Sequence, residues 1–228
     1  MTMAASTAPA VVLADYPRPF AYQYRGSALA AALLKLFGWR LYFDGFPTLQ
    51  GVVIVYPHTS NWDAVVMITA KWALGVQVVF WGKDSLFRLP LLGRWLRWIG
   101  GQPVNRSAHT GVVAQMTAHM QHCKTMGLPC WLGLSPEGTR KLTQGWRSGF
   151  YQVALHAQVP LCVAKLDYGT RIITVLDVIA LNGDPAHDMA RIAQVYHGVR
   201  GLVPECAAPV QLSDAIGNTP EPNAARVR

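Results

Sequence analysis

The sequence is poor in charge, in cysteine and in uninterrupted apolar runs. Asp, Glu, Lys and Arg make up only 14% of its 228 residues, against 51% hydrophobic ones. A chain this apolar raises the question of membrane spans. A spanning helix needs about 20 consecutive apolar residues, and no run here approaches that. The longest stretch, residues 28–43 (ALAAALLKLFGWRLYF), is broken by Lys35, Gly38 and Arg40. It reads either as a segment lying in a membrane interface or as an ordinary core helix. It makes no signal peptide, because no compact basic region precedes it and no small-residue cleavage site follows it. The four cysteines, Cys123, Cys130, Cys162 and Cys206, form no Cys-x-x-Cys pair. Cys130 and Cys162 lie in strand-like apolar runs, so the reading is buried, reduced thiols in a cytosolic protein.

Acidic residues are scarce too, 12 against 20 Lys and Arg, which leaves a formal charge of +8. A basic balance favours anionic partners: nucleic acid, an anionic lipid surface or a phosphorylated substrate. No zinc-finger spacing and no Lys-rich arm points to nucleic acid, which is therefore not expected as a partner. His119, His122 and Cys123 fall on one predicted helix, but only the two histidines share a face, and no distant third ligand declares itself. No metal site is expected.

What is present is an alternation of short apolar runs with helical periodicity. Strands are predicted at 51–56, 76–81, 128–134, 160–166 and 172–176, with a short edge-like segment at 102–106. Helical or interfacial character is predicted from Ser27 to about Phe37, and helices at 64–74, from Leu91 toward Gly101, and at 109–126, 149–157 and 186–200. Alternation of this kind predicts one three-layer α/β/α domain with a mixed central sheet. Residues 1–26 read as a loose leader and 27–202 as the domain, with 27–45 as its amphipathic, membrane-associating helical segment. Residues 203–228, with four prolines, read as a flexible tail. In the helix from Leu91, the residues Leu91, Trp95, Trp98 and Ile99 share a face opposite Arg94 and Arg97. That pattern suits a headgroup boundary or a core helix with a solvated basic stripe.

Polar chemistry gathers just past the strand ends, where function collects in open α/β sheets. The first strand delivers Pro57-His58-Thr59-Ser60-Asn61-Trp62-Asp63. Asp63 lies about a turn into the following helix and can reach back to the imidazole. A carboxylate there fixes the tautomer of His58 and stabilises its imidazolium, the minimum equipment of a general base. The structural alternative is a helix cap with an ordinary first-turn acid. Lys83 closes the second strand. The third delivers Ser135-Pro136-Glu137-Gly138-Thr139-Arg140, in which Gly138 allows close backbone approach, Thr139 adds a hydroxyl and Arg140 a forked donor suited to phosphate. Arg106 ends the edge-like segment. A base with two arginines and a lysine at one sheet edge suggests an acceptor carrying a hydroxyl and a phosphate.

In these motifs the chain resembles the glycerolipid acyltransferases typified by lysophosphatidic acid acyltransferase, as a minimal bacterial-type member. The family's His-x4-Asp motif is matched by His58 to Asp63. Its Phe-Pro-Glu-Gly-Thr-Arg-Ser motif is matched by Ser135 to Lys141. Gly100 to Arg106 and Val159 to Val163 match the remaining two, and Lys83 with Leu86, Pro90 and Gly93 also follows the pattern. The likeness covers about residues 50–168. Ser135, Lys141 and Trp62 depart from the usual residues.

The resemblance implies acyl transfer from acyl-CoA or acyl carrier protein to a hydroxyl of a lysophospholipid-like acceptor, with 1-acylglycerol 3-phosphate favoured. His58 would be the base and Asp63 its partner, and Lys83, Arg106, Glu137, Gly138, Thr139 and Arg140 would bind substrate. Glu137 would either hydrogen-bond the acceptor hydroxyl or hold an arginine. Backbone N–H groups around Gly138, or at the helix after His58, would meet the oxyanion. No cofactor and no metal is implied. The expected partners are the thioester donor, the lipid acceptor, a membrane surface and acyl carrier protein, and the expected location is the cytoplasmic face of the membrane, peripheral or monotopic. Two readings from other classes are a hydrolase using the same pair on water, and a non-catalytic binder of anionic lipid.

Overall fold

The computed structural model describes residues 20–104 and 109–213. Seven strands form one sheet: β1 (Arg40–Phe43), β2 (Gln50–Tyr56), β3 (Val78–Lys83), β4 (Gly101–Val104), β5 (Cys130–Leu134), β6 (Leu161–Asp167) and β7 (Ile172–Ile179). Their order is β1-β7-β6-β2-β5-β3-β4. Every neighbouring pair is parallel except β6 and β7. The exception follows from chain length: β6 and β7 are joined by a short turn, which only an antiparallel pair permits, whereas parallel neighbours need a crossover.

The helices are α1 (Ala28–Leu36), α2 (Asn61–Leu74), α3 (Asp84–Phe87), α4 (Pro90–Trp98), α5 (His109–Met126), α6 (Gly149–Ala157) and α7 (Pro185–Val195). The pleat of β2 sorts them into layers. Val52, Ile54 and Tyr56 point into a core shared with Met120 of α5, Phe150 of α6 and Ile192 of α7. Val53 and Val55 point to the other face, where Trp131, Val76 and Met67 pack, and where α1 and α2 lie against each other. Because successive side chains alternate faces, the near-continuous apolar run of β2 is what a strand covered on both sides requires. The chain is thus a three-layer α/β/α domain with a mixed sheet.

Three expectations are corrected. Segment 27–45 is helical only over α1, within the expected 27–37, and not across residues 28–43. The helix stops after Leu36, the chain turns at Gly38 with φ of +79°, and residues 40–43 become edge strand β1 beside β7. A residue at positive φ ends a right-handed helix at little cost only if it is glycine. Residues 203–213 are not a loose tail. Ala208 is fully buried, and residue 146 exchanges backbone hydrogen bonds with the segment, Trp146 N–H to Gln211 O at 2.6 Å and Ser213 N–H to Trp146 O at 2.8 Å. Small apolar side chains fill the space over Trp146, so proline content there does not prevent packing. The end of the expected leader is also tied down, with Phe20 buried and Tyr22 bridged to Phe46. Residues 1–19 of the leader and 214–228 of the tail lie outside the described residues. Among the described residues no helix is long and apolar enough to cross a membrane.

Candidate active site

The parallel strands β2, β3, β5 and β6 all end at one sheet edge, and the polar loops meet there. Past β2, Ser60 caps α2, its hydroxyl accepting from Trp62 N–H at 3.2 Å. Asp63 completes the capping box by accepting from Ser60 N–H at 2.8 Å. The same Oδ2 accepts from Thr59 N–H at 2.7 Å and lies 3.3 Å from His58 Nδ1. Asp63 is therefore at once a helix-capping residue and the partner of the imidazole. With Nδ1 turned to the carboxylate, the Nε2 edge is left for another group. The His58 side chain is 21% exposed, while Asp63 is 1% exposed.

Oδ1 of Asp63 has a partner that the sequence reading missed. Tyr168, just past the end of β6, donates its hydroxyl at 2.8 Å. Trp39, in the turn between α1 and β1, stands edge-on to the Tyr168 ring at 4.9 Å. Burial alone would raise the pKa of Asp63, but the hydrogen bonds from His58, the Ser60 N–H and Tyr168 outweigh it and hold the carboxyl below its ordinary value. Tyr168 is pushed the other way, by its burial and then by the carboxylate it faces. Asp63 thus stays ionised in a buried position.

An acid whose folded pKa is depressed contributes stability above its unfolded pKa and loses it as pH falls through the folded one. Tyr168→Phe removes one of the groups that depress Asp63. Acid unfolding of this variant, followed by circular dichroism, is expected to begin at a higher pH than in the parent. Coincident acid transitions would show that the phenol does not hold the carboxylate.

Past β5, Glu137 is 2% exposed. Its hydrogen bonds among the described residues come from backbone. Its Oε2 accepts from the backbone N–H of His58 at 2.5 Å and its Oε1 from that of Ala208 at 2.9 Å. No arginine pairs with it among the described residues. A carboxylate buried beside two loop N–H groups is the acceptor those donors require. Burial raises its pKa, although those two bonds and the His58 charge oppose the rise. Glu137 therefore ties three segments together: the His58 loop, the strand end after β5 and residues 203–213.

Gly138 has φ of +67°, and a Cβ there would stand 2.9 Å from Arg147 Nε. The glycine lets the Arg147 side chain cross directly over the loop, which the sequence reading also missed; Arg147 N–H further donates to Pro136 O at 2.9 Å. The Thr139 hydroxyl accepts from Lys141 N–H at 3.4 Å, and Arg140 is exposed. Lys83 ends β3 at this same edge, but its side chain is not among those described, and Arg106 lies outside the described residues. Of the N–H groups around Gly138 and at the start of α2, that of Gly138 donates to Ser135 O at 3.2 Å, and those of Thr59, Ser60 and Trp62 are used in the cap.

These residues open onto a cleft of about 2400 Å³. Its polar mouth carries His58, Asp63, Glu137, Arg140 and Arg147. Apolar side chains line the rest of it, Met67, Leu74, Val78 and Phe80 of α2 and the neighbouring strand region on one side and Val113 and Leu155 of α5 and α6 on the other. The volume exceeds the roughly 300–1,000 Å³ of ordinary small-molecule pockets. On the rim, α4 turns outward. Leu91 is 84%, Trp98 74% and Trp95 43% exposed, Arg94 and Arg97 are exposed, and Trp98 lies 6.0 Å from Trp72 of α2. Ile99, expected on that face, is buried instead because it lies beyond the helix end.

Of the predicted site residues, His58, Asp63, Glu137, Gly138, Thr139 and Arg140 come together at this cleft. A family model described as Acyltransferase matches residues 42–166, from β1 to β6. No curated protein and no solved structure matches the chain.

Proposed function

The chain belongs to the acyltransferase family that includes the glycerolipid enzymes, and we propose that it moves a fatty acyl group from a thioester to the hydroxyl of a lysophospholipid-like acceptor. The observation that carries this reading is the His58–Asp63 pair, with its carboxylate buried and held ionised at the mouth of a cleft that is basic outside and apolar within. His58 Nε2 takes the acceptor's hydroxyl proton as the oxygen attacks the thioester carbonyl carbon. Asp63 stabilises the imidazolium that forms. The tetrahedral intermediate collapses with cleavage of the carbon–sulfur bond, and the imidazolium returns its proton to the departing thiolate. The thioester is already activated, so no covalent acyl-enzyme is required. Neither Ser60 nor Ser135 sits in a nucleophile elbow.

The acceptor we favour is 1-acylglycerol 3-phosphate. Its phosphate would meet Arg140, with Lys83 and Arg106 assigned to the same task from their motif positions, and Arg147 added by its place over Gly138. Forked guanidinium donors suit phosphate. The apolar lining of the cleft suits an acyl chain. The donor is acyl-CoA or acyl carrier protein, and no cofactor takes part. The exposed Leu91, Trp95 and Trp98, with Arg94 and Arg97 beside them, would seat the domain on an anionic membrane surface at the cytoplasmic face. Leu92 and Trp95 also line the cleft, so a lipid acceptor would enter from the side that faces its source.

Purified protein in liposomes, offered acyl-CoA or acyl carrier protein with lysophosphatidate, glycerol 3-phosphate and other lysophospholipids, tests the reading by mass spectrometry. A diacyl phosphatidate product is expected. Release of free fatty acid irrespective of acceptor would instead establish a hydrolase. Arg140→Ala should raise the KM for a phosphate-bearing acceptor by about tenfold, the loss of roughly one charged hydrogen bond. An unchanged KM would remove Arg140 from the acceptor site.

A further inference from the structure

Three side chains far from His58 take no part in acyl transfer, yet converge on one point. His119 and Cys123 stand one helical turn apart on α5. Cys130 opens β5 just beyond the turn formed by residues 127–129. Cys130 pairs with Gln50 at the start of β2, whereas His58 follows the end of β2, so the cluster lies at the opposite edge of the sheet. One ligand atom from each residue lies within 4.8 Å of the other two, and Cys123 Sγ is 3.7 Å from His119 Nε2.

The 3.7 Å separation matches a tetrahedral ion. Zinc–sulfur bonds of about 2.3 Å and zinc–nitrogen bonds of about 2.0–2.1 Å place neighbouring ligand atoms about 3.6–3.8 Å apart. Burial fits as well. Cys123 and Cys130 are each 5% exposed, and His119 is exposed, so the cluster is walled by protein on the sulfur side and reaches solvent on the imidazole side. A dithiol that merely formed a disulfide would have no use for an imidazole at this distance. The sequence reading sought a face shared by His119 and His122. The fold instead pairs His119 with Cys123 and brings Cys130 to both from across the helix-to-strand turn.

We propose that His119, Cys123 and Cys130 bind one zinc-class divalent cation, with water in the fourth position. The donor set, two thiolates and one imidazole, selects a borderline-soft ion over calcium or magnesium. Its role is structural. It clips the last turns of α5 to the start of β5, the strand whose other end carries Ser135 to Arg140.

The test uses the full chain, reduced and freed of metal by a chelator, and Co²⁺ as the probe, with Zn²⁺ as competitor. One Co²⁺ per chain is expected, with the near-ultraviolet thiolate-to-cobalt absorption and the visible bands of a tetrahedral site, both lost on adding Zn²⁺. Cys123→Ser and Cys130→Ser should abolish the thiolate absorption, and Cys206→Ser should leave it intact. His119→Ala should weaken Zn²⁺ binding at least tenfold and remove the rise in Tm that Zn²⁺ produces in the parent. Because His119 is exposed, that variant stays informative even where a buried cysteine variant fails to fold. Absence of the thiolate absorption in the reduced parent, or its survival in His119→Ala with unchanged affinity, would overturn the proposal. Neither result depends on whether the chain transfers acyl groups.

Discussion

His58→Ala is expected to give a folded protein whose acyl transfer falls by at least the 10²–10⁴-fold that a positioned general base supplies. The fold should survive because of what Asp63 keeps. Loss of the imidazole leaves the buried carboxylate with the N–H groups of Thr59 and Ser60 and the Tyr168 hydroxyl. The capping box of α2 is untouched. The backbone N–H of residue 58, which holds Glu137, is also retained. Transfer by the liposome assay and circular dichroism on the same sample provide the check. A folded variant with near-parental turnover would remove the base assignment and, with it, the mechanism.

Glu137→Ala is expected to act differently, by disordering the site rather than removing a reacting group. Two backbone N–H groups, of His58 and Ala208, lose their acceptor. Each buried donor left unsatisfied costs about 1–3 kcal/mol, so a measurable fall in the denaturation midpoint should accompany a fall in kcat. The acceptor KM should change little, because both Glu137 oxygens bond to protein backbone. Glu137→Gln should be intermediate: its amide keeps one acceptor oxygen but turns an NH₂ group toward the second donor. A large rise in KM with unaltered stability would instead mean that Glu137 binds the acceptor hydroxyl. Denaturant melts beside steady-state kinetics of both variants separate these outcomes.

How far each feature could be read from the sequence tracks how local its cause is. The helices at 109–126 and 149–157 were read to their ends, because periodicity, glycine and proline act within a few residues. Strand β1 was missed: four residues after a helix carry too little pattern to show a period of two. The docked segment 203–213 was misread because composition reports the chain's own tendencies and not the Trp146 surface waiting to be covered.

The sequence by itself determined most of the elements, the three-layer class and the His58–Asp63 pair. Five residues across a helix start bring those two side chains together whatever else the chain does. Only the tertiary structure decided what surrounds the pair. Glu137 reaches His58 from 79 residues away, and Tyr168 reaches Asp63 from 105. Both contacts exist because β5 and β6 flank β2 on its two sides and end at the same edge. Strand order is set by how both faces of the sheet are buried together, and a period of two along each strand is compatible with many orders. Arg147 over Gly138, and Cys130 beside His119 and Cys123, are shorter-range contacts made by the turns that follow β5 and α5.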